Sequence, residues 1–344
     1  VDDGRTLQGM QDMSRAVELA ATVRGTTSPN PWVGCVLVTA DGRRFEGATE
    51  PPPGRHAEAV ALDQARQAGA PTTGATVFVT LEPCSHHGRT PPCADALLDA
   101  QVRRVVVGIV DPDPRVAGQG IARLRRAGVE VETGPASETV AALLAPYIVH
   151  RRSGRPYVVL KLAASLDGRT AAPDGSSRWI TSETARRDAH RLRAESDAVL
   201  VGAGTVRSDD PELTVRLIEG RDPLRVVLGQ VPPTARVHPC LELTGNLEDV
   251  LDELGGRGVL QLLVEGGATV AGAFHRAGLV DRYVLYLAPV LFGGEDSPGL
   301  FTGPGAATMA DVWRGRLVGT TTLGEDLRVD LEPEKPDRGV EEES

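Results

Sequence analysis

The chain has 344 residues, enough for two domains of roughly 150 to 200 residues, and 41% hydrophobic with 24% charged residues is the make-up of an ordinary globular protein. A net charge of −10 argues against constitutive binding to nucleic acid or an anionic membrane, which needs a basic face. No stretch approaches the roughly 18 apolar residues of a membrane span, residues 1–9 lack a signal-peptide layout, and four cysteines make no disulfide framework, so a cytoplasmic protein is expected.

With only 3% aromatic residues, the cores must be built from Val, Leu and Ala. Apolar residues at helical spacing predict a helix over 10–24, stopped by Gly25. A buried strand over 33–38, a helix over 56–69 and a strand over 75–80 follow. Further on come a helix over 94–100, a strand over 104–110 and helices over 120–128 and 137–151. Short Val-rich strands alternating with helices argue for a layered α/β domain over 1–150. The charged, Gly- and Pro-containing break RRSGRP at 151–156 marks the boundary, and a second α/β domain is expected over 151–332. It begins with a strand over 157–165, whose Asp167-Gly168 turn predicts a hairpin with a second strand. The spacing then predicts a helix over 182–194, strands over 197–202 and 224–229, a helix over 247–256, a strand over 259–267, a helix over 268–278 and a strand over 281–290. A hairpin within 316–332 closes the domain, and the polar tail 333–344 is expected to be disordered. The halves show no internal repeat.

TLEPCSHHGRTPPC, residues 80–93, and the distant His56-Ala57-Glu58 carry the first chemistry. His56, Cys84 and Cys93 are the donors of an open zinc site, three protein ligands with a fourth position for water. Both cysteines lie where a strand gives way to a helix, whose positive end favours thiolate. Zinc deaminases as a class carry H-x-E and a later P-C-x-x-C, with the Glu as proton shuttle. Here eight residues separate the cysteines. Taken singly, each cysteine reads better as a small buried apolar group, and His56 and Glu58 as the first turn of a helix that favours acids; only the conjunction points to zinc. Cys35, in an apolar strand, and Cys240, with nothing ligand-like near it, are expected to be structural.

NPWVGCVLV (30–38), HAEAVAL (56–62), the 80–93 stretch and DPDPRVAGQG (111–120) resemble the deaminase half of the bifunctional riboflavin-biosynthesis deaminase/reductase family. The long inter-cysteine insert is specific to that family among zinc deaminases. The resemblance implies a three-layer cytidine-deaminase-like fold, Zn²⁺ held by His56, Cys84 and Cys93, and Glu58 as catalytic acid/base. It also implies a phosphorylated diaminopyrimidinone substrate. Asn30 is expected to hold that substrate, although Asn-Pro is equally a turn signal. His86, His87 and Arg89 are expected on the phosphate side. One departure stands out: a Tyr-His pair common in the family upstream of His-Ala-Glu is replaced by Gly47-Ala48-Thr49-Glu50-Pro51-Pro52-Pro53.

In the second half, Lys161 interrupts an apolar strand, so it faces either a cleft or, on an edge strand, solvent. Glycines end two strands, at Gly202 and at Gly266-Gly267, where backbone N–H groups can approach a phosphate or simply turn the chain. SLDGRTA, SRWITS, TVRSDDPELTVR and LVEGG resemble the reductase half of the same family, a dihydrofolate-reductase-like α/β fold using NADPH. That resemblance places Ala163, Trp179, Thr181, Thr205, Asp209, Gly267, Ala268, Thr269, Val270, Ala271, Gly272 and Ala273 at the cofactor. It places Lys161, Ser177, Arg193, Leu213, Arg216 and Glu265 at the substrate. The stretch Gly229 to Asn246 is shorter than in many relatives.

The leading expectation is a two-domain enzyme that deaminates a pyrimidine and then reduces its side chain, working as a homo-oligomer, dimer or tetramer. A nucleoside or tRNA deaminase fused to an unrelated nucleotide-binding domain is the alternative, opposed by the acidic charge, the long insert and the reductase motifs. A zinc-stabilised regulatory protein is a third reading, which the non-ligand Glu58 opposes.

Overall fold

The computed structural model describes residues 3–85 and 91–334. The chain divides into two compact units, one ending at Arg155 and the other starting at Pro156.

In the first unit, α1 (Asp3–Thr22) leads to β1 (Gly34–Val38), β2 (Arg44–Ala48), α2 (Ala57–Gln67), β3 (Thr76–Leu81), α3 (Cys93–Asp99), β4 (Arg104–Ile109), α4 (Gln119–Arg126), β5 (Glu130–Thr133), α5 (Ser137–Leu143) and α6 (Ala145–Ser153). The strands form one sheet in the order β2-β1-β3-β4-β5, antiparallel on the β2 side of β3 and parallel on the β4 side. Strand alternation sends Val36, Phe78 and Val106 to one face, against Met13 and Ala16 of α1. The opposite face receives α2. There Gly47 pairs with Cys35, and a Cβ on Gly47 would stand 2.1 Å from the Ala57 carbonyl oxygen, so only glycine lets α2 lie this close. The result is three layers with α2 pinned to the sheet.

Two short strands, β2 and β5, were not among the predicted elements, since neither carries a long apolar run. The single helix predicted over 137–151 is two. The break falls at Leu144, and Pro146 occupies the first turn of the new helix, where its missing N–H costs nothing.

In the second unit come β6 (Tyr157–Ser165), α7 (Glu183–Ala194), β7 (Ala198–Gly202), α8 (Ala203–Asp209), β8 (Leu224–Leu228), β9 (Leu241–Leu243), α9 (Leu247–Gly256), β10 (Gln261–Val264), α10 (Ala268–Arg276), β11 (Arg282–Ala288), β12 (Gly315–Leu323) and β13 (Asp326–Pro333). Their sheet runs β12-β13-β11-β6-β10-β7-β8-β9, parallel from β11 to β9 and closed by the antiparallel β12-β13 hairpin. Val158, Leu160, Leu200, Leu262 and Val264 pack with Leu251 and Leu254 of α9 and Phe274 of α10.

The predicted hairpin after β6 is half right. The turn closes, with Gly168 N–H donating to the Ser165 carbonyl at 2.9 Å, but no second strand follows beyond a single bridge from Arg169 to Gly299. The reason is topological: β6 already has β11 on one side and β10 on the other, so it offers no free edge. The same fact removes the edge-strand reading of Lys161. Helix α8 and strand β9 are additions, while β13 runs through Pro333 and the tail from 335 onward lies outside the described residues. Among the described residues no helix is long and apolar enough to cross a membrane.

Candidate functional site

His56 is the residue from which α2 starts, Cys84 sits in the loop after β3, and Cys93 opens α3. Three chain segments 28 and 37 residues from His56 thus deliver one donor each, and the three ligand atoms lie within 4.8 Å of one another. His56 Nδ1 stands 3.3 Å from Cys93 Sγ and 3.6 Å from Cys84 Sγ. Ligands at ordinary zinc distances in tetrahedral array stand about 3.6 Å apart, so the donors fit such an ion. The Cys93 thiol, then His56 and the Cys93 N–H, which donates to Cys84 Sγ at 3.3 Å, bring the Cys84 thiol down to about 4 against the effect of burial.

Glu58, in the first turn of α2, is 4% exposed. Burial, reinforced by Cys84, pushes its carboxyl up to about 7, with His56 pulling the other way. A carboxyl titrating near neutrality can both take and give a proton. His56, Cys84 and Glu58 line a cavity of about 680 Å³ together with Asn30, Asp111, Tyr147 and Arg151. Asn30 thus shares a cavity with His56 and Glu58, whereas His86, His87 and Arg89 fall outside the described residues. Thr49, in the departing stretch, is buried and uses its hydroxyl to accept the Val33 N–H at 3.1 Å. Its neighbour Glu50 is paired with Arg55 at 2.5 Å, so this loop is stapled to itself.

Several residues at this site had no role in the sequence reading. Glu82 is 5% exposed, and its carboxylate accepts four backbone N–H groups: Asp111 at 3.1 Å and Gly118 at 2.9 Å on Oε2, Gly120 at 2.8 Å and Ile121 at 3.2 Å on Oε1. It fastens the 111–121 loop to the segment carrying Cys84. Gly120 belongs to the same clamp, because a Cβ there would lie 1.9 Å from the Pro83 carbonyl oxygen. Tyr147 O–H points at the Asp111 carboxylate at 3.4 Å, and the Arg151 guanidinium lies 4.9 Å over the Tyr147 ring while donating to the Pro29 carbonyl. Arg151, the last residue of the predicted helix and the first of the charged break, was given no role at the site.

In the second unit, Glu265, at the end of β10, receives Arg193 of α7 in a two-pronged pair, Nε to Oε1 at 2.5 Å and Nη2 to Oε2 at 3.0 Å. Lys161 Nζ of β6 is 3.9 Å from Glu265 Oε2. Burial disfavours the Glu265 charge, yet Arg193 and then Lys161 hold the carboxyl down to about 2. Burial lowers the Lys161 ammonium. His190, not foreseen, is buried beside these cations and accepts the Arg216 N–H on Nδ1 at 3.1 Å; burial, then Arg193 and Arg216, bring it down to about 4. Leu213 is buried with φ of 56°, a left-handed backbone that leucine adopts at a cost. Lys161, Arg193, Glu265 and, through His190, Arg216 thus converge.

Ser177 instead lines, with Trp179, Val290, Leu291 and Phe292, a shallow cavity of about 310 Å³. Trp179 is 68% exposed with the Arg186 guanidinium 4.3 Å over its ring, and Arg186 also donates to the Thr181 carbonyl. The Asp209 carbonyl accepts from Arg178 at 3.3 Å. Gly267 N–H donates to Thr205 Oγ1 at 3.3 Å, and α10 starts at Ala268 with no side chain capping it. Gly267 and Thr269 are exposed, Ala268, Val270 and Ala273 are half-buried, and Ala271 and Gly272 are buried; Ala163 lies half-buried on β6. An uncapped helix start behind two glycines suits the phosphates of a dinucleotide.

Fold and site together define a metal-binding hydrolytic deaminase domain joined to an α/β reductase domain. Residues 8–109 match the cytidine and deoxycytidylate deaminase zinc-binding region, and residues 156–329 match the RibD C-terminal domain. The chain is 45% identical over 332 residues to the riboflavin biosynthesis protein RibD of Mycobacterium tuberculosis, covering 93% of this chain and 96% of that one. It is 41% identical over 368 residues to RibD of Escherichia coli, covering 94% and 99%. Among solved structures, Acinetobacter baumannii RibD superposes with a TM-score of 0.88 at 39% identity over 95% of this chain and 99% of that one. A Thermotoga maritima diaminohydroxyphosphoribosylaminopyrimidine deaminase/5-amino-6-(5-phosphoribosylamino)uracil reductase does so with 0.88 at 34%, covering 94% and 98%. The chain belongs to the RibD family, the bifunctional deaminase/reductase enzymes of riboflavin biosynthesis.

Proposed function

We propose that the first domain hydrolytically deaminates 2,5-diamino-6-(5-phosphoribosylamino)pyrimidin-4(3H)-one, and that the second reduces the ribosyl side chain of the product to the ribityl form with NADPH. The observation that carries this reading is the pairing of an open three-donor centre with a buried carboxyl poised near neutrality on one cavity wall. His56, Cys84 and Cys93 would hold zinc, which when bound supplies a water whose pKa is lowered to about 7. Glu58 takes the proton of the attacking water, passes it to the ring nitrogen and later protonates the departing amine, so ammonia leaves. Asn30 offers its amide to the base or ribosyl portion. His86 is assigned to the substrate as well, on the strength of the family resemblance.

In the reductase, NADPH when bound supplies the hydride that reduces C1 of the open-chain, imine-like ribosylamino group. Ala163, Trp179, Thr181, Thr205, Asp209 and the turn from Gly267 to Ala273 are assigned to that cofactor. Lys161, Ser177, Arg193, Leu213, Arg216 and Glu265 are assigned to the sugar phosphate. Arg193 and Arg216 suit a phosphate because each guanidinium is a planar fork of donors. Lys161 is the candidate proton donor, since its lowered pKa eases release. A cytoplasmic homo-oligomer, a deaminase domain that ends within the 151–156 break rather than at 150, a reductase domain that ends with β13, and NADPH over NADH complete the reading.

The test supplies the diaminopyrimidine ribosyl phosphate with and without NADPH, following ammonia and NADPH absorbance. Ammonia alone without NADPH, and ammonia followed by NADPH oxidation with it, is the expected pattern. Ammonia release from cytidine or a tRNA base, with this substrate untouched, would support the competing reading.

A further inference from the structure

Residues 238–242 read His-Pro-Cys-Leu-Glu, with a bend at Pro239 just before β9 begins at Leu241. This local fold brings His238, Cys240 and Glu242 together, and their ligand atoms lie within 4.8 Å of one another. The cluster corrects the expectation that nothing ligand-like stands near Cys240. It lies where a loop enters β9, the outermost strand of the eight-stranded sheet, paired only with β8.

The histidine is oriented for metal. Its Nε2 is 3.1 Å from the Pro232 carbonyl oxygen, which can only accept, so Nε2 carries the proton and Nδ1 keeps its lone pair. Metal-binding histidines ordinarily have such a partner behind the ring. The free Nδ1 is 3.5 Å from Cys240 Sγ, near the roughly 3.6 Å between two ligands of one tetrahedral zinc ion. Glu242 Oε2 accepts the Val231 N–H at 3.4 Å, tying the carboxylate to the other end of the same loop, and Arg225 donates to the His238 carbonyl at 3.3 Å.

We propose a second metal site, for a divalent cation of the zinc class, formed by His238 Nδ1, Cys240 Sγ and the Glu242 carboxylate. One imidazole, one thiolate and one carboxylate suit zinc and disfavour Mg²⁺ and Ca²⁺, which take oxygen ligands. On binding, the Cys240 thiol gives its proton to solvent and the sulfur donates the freed pair to the metal. The consequence is structural: the ion ties the 231–240 loop to an edge strand that lacks a neighbour on its outer side. The site is independent of the deaminase centre and of the reaction assigned to either domain.

The experiment uses the full chain, stripped with a chelator and reloaded with zinc alone. Zinc is counted by mass spectrometry, and the affinity of each equivalent is measured by competition with a chromogenic chelator. Two zinc ions per chain are expected. Cys240→Ala and Glu242→Gln each weaken one of them, the former by at least about 100-fold, and leave the other intact. Cys93→Ala does the converse. Cobalt in the Cys84→Ala/Cys93→Ala chain should retain the charge-transfer band of a single thiolate, which adding Cys240→Ala abolishes. One zinc per chain in the parent protein overturns the proposal, as does a second equivalent whose affinity shifts less than about 10-fold in both variants. The exposed Glu242 variant keeps the test valid if Cys240→Ala does not fold.

Discussion

Replacing Glu82 with Gln changes one atom at the edge of the deaminase site and removes the anchor of the loop behind it. The carboxylate accepts two N–H groups on each oxygen, those of Asp111 and Gly118 on one and those of Gly120 and Ile121 on the other. A glutamine can satisfy one pair only. Its amide nitrogen would point hydrogens at the second pair, so two donors lose their acceptor. Hydrogen bonds to a charged group contribute about 1.5–3 kcal/mol each, which sets the loss at about 3–6 kcal/mol. Because Glu82 precedes Pro83-Cys84, the displaced loop should also weaken zinc retention, while reduction by the second domain is unaffected. The assay is urea unfolding followed by Trp32, the buried and only tryptophan before Arg155, in a Trp179→Phe/Trp313→Phe background. A Glu82→Gln chain within about 1 kcal/mol of its parent would refute the clamp.

Gly120→Ala should abolish deamination and leave reduction intact, since the new methyl would sit 1.9 Å from the Pro83 carbonyl oxygen; normal ammonia release would show that the loop yields without consequence. Arg193→Met strands Glu265 in a buried site with Lys161 3.9 Å away, and should cost the second domain about 3–5 kcal/mol and its reductase activity, read from its unfolding transition and from NADPH oxidation. Acid should loosen the same domain in two stages. His190 is held near 4, below its usual 6.5, so between those values the unfolded chain takes up a proton that the folded one refuses, and stability falls as pH drops through that window. Glu265, held near 2, contributes stability above its ordinary value of 4.5 that is lost as pH falls toward 2. Asp281, pushed up to about 6 by burial, takes up its proton in the folded chain over the same window and offsets part of that loss, so His190 is read by difference. His190→Asn, whose side-chain oxygen can still accept the Arg216 N–H, should lose less stability than the parent between pH 7 and 4.5, and equal losses contradict the argument.

The His56, Cys84 and Cys93 cluster and the nearby Glu58 were legible because such residue types fall in short local patterns, and a helix start is itself readable from sequence. Glu82 was not. Its partners are backbone N–H groups 29 to 39 residues away, and no side-chain pattern announces them. His190 joins the reductase cluster through a main-chain N–H and escaped notice for the same reason. The hairpin after β6 failed because turn chemistry specifies a reversal, whereas strand pairing depends on whether an edge is free, a property of the whole sheet. Arg151 shows the reverse confusion: a charged run that reads as a linker is the last turn of α6 and faces the cavity. At Cys240, the short spacing His-x-Cys-x-Glu was present in the sequence, but the bend at Pro239 that brings the three side chains together is not a pattern that periodicity shows.

The most direct measurement is ammonia release by Glu58→Gln, made on chain loaded with zinc and supplied with the diaminopyrimidine ribosyl phosphate. The amide keeps the size of the side chain and removes its ability to carry a proton. Zinc bound at the His56, Cys84 and Cys93 centre as tightly as in the parent, ammonia release lowered by about 100-fold or more, and undiminished NADPH-dependent reduction of the deaminated substrate are the predicted results. Ammonia release near the parental rate would contradict the account.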